Sequence, residues 1–191
     1  MPAEAIRFKP INTNLIIKDS GEYDVIIQAS QKDQSAFKKL FDKYSGKIYA
    51  FSLRLTMNTE SAEEIVQETF IKAWNKLESF RFESKFSTWL FGIAYNEFLM
   101  HNRSKNKRDE KFVLADMNEL LNIKTVFNFD TNIDIEKAIS KLPEQAKAVF
   151  VLHEIEGYKH NEIAEMINIQ EGTSKAHLNR ARKILREELS K

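Results

Sequence analysis

Residues 168–185, NIQEGTSKAHLNRARKIL, place Lys175, His177, Arg180, Arg182 and Lys183 in one short segment of a chain whose formal net charge is only +1. Leu178, Ala181 and Leu185 recur among them at helical spacing, so one amphipathic helix would carry the cations opposite an apolar stripe. Side chains of this kind neutralise phosphates and read base edges, and the amide of Asn179 can pair with an adenine edge. Charge alone favours an ordinary solvated face. The neighbouring elements reverse that balance.

Two other clusters could do chemistry. His153 and Glu154 stand seven residues before His160, which is not the i, i+4 histidine pair of a helical zinc site, and Gly157 interrupts the segment between them. Surface or helix-end histidines are the expectation, with no metal and no cofactor. Glu64, Gln67 and Glu68 lie three and four apart, hence on one helical face. Residues 60–68 hold four acids and no base, which reads from composition as a solvated acidic face. With no glycine-rich phosphate loop and no nucleophile arrangement, the expectation is that the chain is not an enzyme.

The elements that must position these residues are helical. Five Gly and three Pro in 191 residues argue against a turn-rich β architecture, and 14 Phe supply much of a core. The absence of Cys removes disulfides and thiol chemistry. The start lacks the apolar run of a signal peptide, and no apolar run approaches the roughly 20 residues that span a bilayer. A soluble, cytoplasmic protein is expected.

Residues 1–22 show no period and read as an extension. From Asp33, residues Phe37, Leu40, Phe41, Tyr44, Ile48, Phe51 and Leu55 recur at helical spacing. A second helix follows, with Ser61 and Glu64 as a capping box and Ile65, Phe70, Ile71, Trp74 and Leu77 buried. ESFRFESK reads as a loop. The third helix starts at FSTWLF and ends strongly basic, with five Lys or Arg against two acids over residues 101–111.

Residues 105–131 lose periodicity and read as a linker between two all-α units, 23–104 and 132–191. In the second unit Pro143 opens a helix and Gly157 ends it. KHNEIAEMIN, a turn of about four residues, and a long helix over 171–189 then form a helix-turn-helix. Ile163, Ile167, Ile169 and Leu178 would close its small core, and Leu178, Ala181, Leu185 and Leu189 would form the buried stripe. Lys175, Ala176, Asn179, Arg180 and Lys183 would face outward, where a helix can enter the major groove of DNA.

Two long stretches now resemble one family. LPEQAKAVFVLHEIEGYKHNEIAEMINIQEGTSKAHLNRARKILREEL is similar to the C-terminal DNA-binding domain of sigma factors of the extracytoplasmic-function group. AEEIVQETFIKAWNKLESFRFESKFSTWLFGIAYN resembles their N-terminal domain. The resemblance covers about residues 24–104 and 134–189. It implies a non-enzymatic protein that binds core RNA polymerase and recognises and melts promoter DNA.

By resemblance, Glu64, Gln67 and Glu68 dock on the polymerase. Phe80, Phe82 and Asn96 match positions at or near a pocket for an unstacked base, although core packing is an equal alternative for either ring. Arg103 and Lys105, with Lys107 and Arg108, would hold the backbone. Trp74 and Trp89 are assigned to the core. Lys175, Ala176, Asn179 and Arg180 match promoter contacts, with Thr173, His177 and Arg182 as phosphate or support positions. An anti-sigma protein is an expected partner. Departures from the family pattern are Ser174, Gln170, Tyr95, Met100 and His177. A regulator with the same helix-turn-helix leaves the N-terminal block unexplained, and a protein-only adaptor predicts no salt-dependent DNA affinity.

Overall fold

The computed structural model describes residues 20–105 and 133–190, and the expected linker falls almost wholly outside them. The N-terminal unit comprises α1 (Ser20–Ser30), α2 (Gln34–Thr56), α3 (Thr59–Lys76) and α4 (Phe86–Lys105), with a short 3-10 turn, Leu77–Ser79, after α3. The C-terminal unit comprises α5 (Ile133–Ser140), α6 (Glu144–Phe150), which runs on into a π-helical turn to Ile155, α7 (His160–Ile167) and α8 (Glu171–Leu189). There is no strand among the described residues.

Local chemistry sets the helix limits. The side chain of Asp33 accepts from the Ala36 N–H at 3.0 Å and caps α2. Met57 ends α2 in the left-handed region, its N–H donating to the Leu53 carbonyl at 2.8 Å. The capping box expected from Ser61 and Glu64 is not formed. Asn58 is the cap, accepting from the Ser61 N–H at 2.8 Å and from its hydroxyl at 2.7 Å. Helix α1, absent from the sequence reading, begins inside the expected extension. It is tied to α2 by a hydrogen bond from the Tyr44 hydroxyl to Glu22 and by a Lys43–Glu22 pair at 2.9 Å.

The core runs through both units. Leu40, Ile48, Phe51, Ile65, Leu77, Leu90, Phe91 and Phe98 are fully buried in the first, and Ile139, Val149, Leu152, Ile163 and Ala181 in the second. Truncating a buried Phe of this kind costs about 3–5 kcal/mol. Three residues expected inside are exposed instead: Phe41 at 40%, Ile71 at 52% and Leu189 at 52%. Trp74 is half-buried against Phe37 at 4.9 Å, with the Lys32 ammonium over its ring. An apolar period therefore placed these side chains on the right face of each helix, but that face is wider than the surface available to cover it.

The two units pack against each other. Helix α7 lies on α4, and Phe91 meets Tyr158 edge-on at 5.4 Å. Burial pushes the Tyr158 phenol up to about 12. A Cβ added at Gly92 would lie 3.2 Å from the Met166 carbonyl oxygen, so only glycine fits this crossing without adjustment. Arg54 on α2 and Glu136 on α5 form a buried pair, with Nη2–Oε1 at 2.8 Å and Nε–Oε1 at 3.1 Å.

Candidate nucleic-acid interface

The C-terminal unit presents α8 as expected, through a turn of three residues, 168–170, rather than four. Asn168 ends α7 at φ 53°, a left-handed conformation that asparagine accepts more readily than most residues. At the start of α7, the Lys159 N–H donates to Glu162 Oε2 at 2.9 Å. Leu178, Ala181 and Leu185 are buried, and Ile163 and Ile167 close the small core with them. Thr173, Lys175, Ala176, Asn179, Arg180, Arg182 and Lys183 are exposed, and His177 is half-buried. The outward face is thus continuous from residue 173 to residue 183.

Two of its members are already engaged. Lys175 pairs with Glu171 one turn earlier at 2.6 Å. Arg182 reaches back to Glu154, with Nη2–Oε1 at 2.5 Å and Nε–Oε1 at 3.1 Å. That hydrogen bond holds the Glu154 carboxyl below the usual carboxylate range. Arg182 therefore ties α8 to the turn after α6. At the start of α8 the sequence pointed to a weakness. Gln170 makes no side-chain cap bond. Ser174, fully buried, instead lies with its Oγ 3.0 Å from His160 Nδ1 on α7. Burial, together with His153 and Lys175, lowers the pKa of this imidazole, and a neutral ring can accept the hydroxyl proton. His160 stacks on His153 at 4.5 Å. Sequence reasoning missed this bond because Ser174 and His160 belong to different helices. Among the described residues, no group of three His, Cys, Asp or Glu side chains is arranged to hold a metal ion.

The N-terminal unit has a second basic surface. Lys72 and Lys76 of α3, and Asn96 and Arg103 of α4, line a hollow of about 400 Å³ with Ile93, Glu97 and Met100. Lys72 meets the buried Glu97 at 2.5 Å, which holds the two helices in register. A smaller hollow of about 260 Å³ adjoins it, sharing Ile93 and Asn96 and adding Thr88, Trp89 and Gly92. The Thr88 hydroxyl is buried with no hydrogen-bond partner among the described residues. The Asn96 amide donates to the Gly92 carbonyl at 2.9 Å. Lys105 ends α4, while Lys107 and Arg108 lie outside the described residues.

The structure separates the two phenylalanines expected here. Phe80 is a core residue, 8% exposed, with its ring between Phe82 at 4.8 Å and Trp89 at 5.2 Å. Phe82 is half-buried at φ 56°, an unusual conformation for a bulky residue, with its ring against Tyr23 at 4.8 Å. Neither lines the hollow that holds Asn96. Trp89, assigned to the core from sequence, does line it. Lys72 and Lys76 were also missed, although their i, i+4 spacing was a usable signal. Nearer the start of α3, Gln67 and Glu68 are exposed, and Glu64 meets His101 Nε2 at 3.1 Å.

Comparison with known proteins identifies the pattern. The Sigma-70 region 2 family model matches residues 40–108, and the Sigma-70, region 4 model matches residues 133–185. The chain is 34% identical over 178 residues to the ECF RNA polymerase sigma factor SigW of Bacillus subtilis, covering 86% of this chain and 94% of that one. The chain belongs to the ECF sigma factors of the sigma-70 family. It is also 31% identical over 173 residues to the ECF RNA polymerase sigma-E factor of Haemophilus influenzae, covering 84% of this chain and 91% of that one. In three dimensions it resembles the sigma factor RpoE solved in complex with the anti-sigma factor NepR from Bartonella quintana. That match has a TM-score of 0.66 at 27% identity and covers 81% of this chain and 96% of that one. CnrH, solved with the cytosolic domain of CnrY, shares the fold at a TM-score of 0.65 and 23% identity, over 88% of this chain and 97% of that one. As a sigma factor, the protein binds core RNA polymerase and directs promoter-specific transcription initiation. No described helix is long and apolar enough to cross a membrane.

Proposed function

We propose that the sigma factor divides promoter recognition between the two basic surfaces. The outer face of α8 enters the major groove of an upstream promoter element, with Lys175, Ala176, Asn179 and Arg180 toward the bases and Thr173 and His177 toward phosphates. Arg182 supports the helix through Glu154. The observation that carries this reading is the exposure of Asn179 and Arg180 on a helix whose opposite side, Leu178, Ala181 and Leu185, is locked in the core.

The hollow around Asn96 takes a base of the melted strand. Trp89 supplies an aromatic wall, Asn96 and the Thr88 hydroxyl supply polar atoms, and Lys72, Lys76, Arg103 and Lys105 meet the backbone. Phe80 and Phe82 act from behind, by fixing Trp89 and the loop before α4. Gln67 and Glu68, with Glu64, form the acidic face that meets a basic surface of polymerase. The protein acts in the cytoplasm without a catalytic centre of its own. An anti-sigma protein covers these surfaces when the factor is idle, as the complex of RpoE with NepR suggests.

Two variants separate the roles. Arg180→Ala should weaken binding of promoter DNA by the polymerase holoenzyme while leaving association with core polymerase intact. Glu68→Lys should weaken that association and spare the DNA face. Equal disturbance of one step by both variants would refute the division.

A further inference from the structure

Helix α1 is fixed along the chain that leaves α3. Beyond its end, the Lys32 ammonium donates to the Trp74 carbonyl at 3.0 Å and pairs with Glu78 at 3.2 Å. The helix also packs on the short turn Leu77–Ser79. Near its start, the Tyr23 ring lies on Phe82 at 4.8 Å, tilted by 51°. Phe82 passes the contact to Phe80 at 4.8 Å, and Phe80 passes it to Trp89 at 5.2 Å. A chain of rings thus runs from α1 to the Trp89 wall of the smaller hollow. The loop that carries Phe82 lines the same hollow with Ser84.

That loop, residues 80–85, is held against its own preference. Phe82 sits at φ 56°, in the left-handed region that a bulky side chain rarely adopts. Such a conformation costs free energy and persists only where the surroundings over-determine it. Here the Phe82 ring is clasped between Tyr23 and Phe80, and the Phe80 N–H donates to the Leu77 carbonyl at 3.1 Å. Without the clasp, Phe82 would relax toward negative φ and re-aim the residues that follow, Ser84 first.

We propose that α1 is a positioning element for base capture. Tyr23 clasps the Phe82 ring, holds the loop in its left-handed turn, and so keeps Ser84 and Trp89 at the wall of the single-strand site. This rests on reading the Asn96 hollow and its smaller neighbour as that site. Tyr23 makes no contact with DNA in this arrangement and acts only through Phe82, Phe80 and Trp89. Its loss should therefore weaken the grip on a melted strand and leave duplex recognition by α8 intact.

The test uses holoenzyme assembled from the full chain and bacterial core RNA polymerase, on a promoter mapped by its RNA 5′ ends. Two labelled templates are compared. One is a duplex that stops short of the melted element. The other is the same duplex carrying that element as a single-stranded non-template extension. The ratio of the two affinities is the gain from the extension. Tyr23→Ala should lower that gain roughly fivefold, the low end for loss of one base-stacking contact, with duplex affinity unchanged. Tyr23→Phe keeps the ring and should retain the gain. Two changes at Phe82 isolate the turn, and they carry the test should Tyr23→Ala not fold. Phe82→Ala keeps the strained φ without the ring that holds it and should lose the gain. Phe82→Gly adopts the same φ at little cost and should keep most of it. Equal loss on both templates with Tyr23→Ala, or a glycine variant as weak as the alanine one, would overturn the positioning role. Asn96→Ala then tells the two readings apart. If it lowers the gain and Tyr23→Ala does not, the site stands and only the positioning fails. If Asn96→Ala has no effect, the single-strand reading itself fails.

Discussion

The outer face of α8 and the hollow between α3 and α4 carry the same kind of chemistry, several cations around one asparagine, yet they stand in opposite states. The α8 face, with Asn179 and Arg180, is open to solvent along its whole length. The α3–α4 hollow, with Asn96, Lys72, Lys76 and Arg103, is concave, and a helix of the other unit walls only the smaller hollow that shares Ile93 and Asn96 with it. A duplex can be met by a convex helix that needs no rearrangement. An unstacked base needs a concave site, and a concave apolar site is also one that the protein's own side chains can fill. The difference separates a convex surface shaped for duplex DNA from a concave one shaped for a single unstacked base.

The largest expected effect falls on the packing of the two units and spares the outer face of α8. Arg54→Ala leaves Glu136 buried without its cation, and a lost buried partner costs about 3–5 kcal/mol. Small-angle scattering should show an expanded chain while helix content is unchanged. Retained compactness would mean that apolar contacts hold the units together without the pair.

Lys147→Met sharpens the comparison by stabilising the C-terminal unit without touching the outer face of α8. Burial pulls the Lys147 ammonium down from 10.5 to about 8, against a smaller opposing pull from Glu144. The native state therefore holds its proton less tightly than the unfolded chain does, so stability rises as pH climbs between those values. Below about pH 8 the native state carries the full cost of the buried cation. There the methionine variant should gain about 2–3 kcal/mol in urea unfolding. The advantage should fade as pH approaches 10.5, and promoter affinity should not change.

Arg180→Ala addresses the open face. It should cost about 1–3 kcal/mol in holoenzyme binding to promoter DNA and leave domain separation unchanged. Gln170→Ser is the smallest change. A serine at the uncapped start of α8 should add about 0.5–1 kcal/mol to thermal stability, with no effect on the α3–α4 hollow.

Much of this was legible in the sequence, and the same contrast explains which part. Hydrophobic period places α2, α4, α7 and α8 within a residue or two of their observed limits, because that signal is local. The exposed residues of α8 follow from the same period. The hollow depends on tertiary contact, which the sequence does not resolve. Phe80, for which stacking and core packing were equal alternatives, is enclosed by other aromatics, whereas Trp89, assigned to the core, packs on it and also lines the smaller hollow. Ser174 looks like a flaw until His160 arrives from another helix. Asn58 displaces Ser61 as a cap because two good capping residues stand three apart, and pattern alone does not choose between them. The packing of the two units rests on Arg54, Glu136 and Gly92, none of which has a periodic signature.

Transcription from fragmented genomic DNA by purified bacterial core RNA polymerase tests the central claim most directly. RNA 5′ ends would be mapped without the protein, with it, and with Arg180→Ala. The account predicts new starts that share two upstream elements with the wild-type protein and their loss with the variant. No new starts, together with no binding to polymerase, would contradict it.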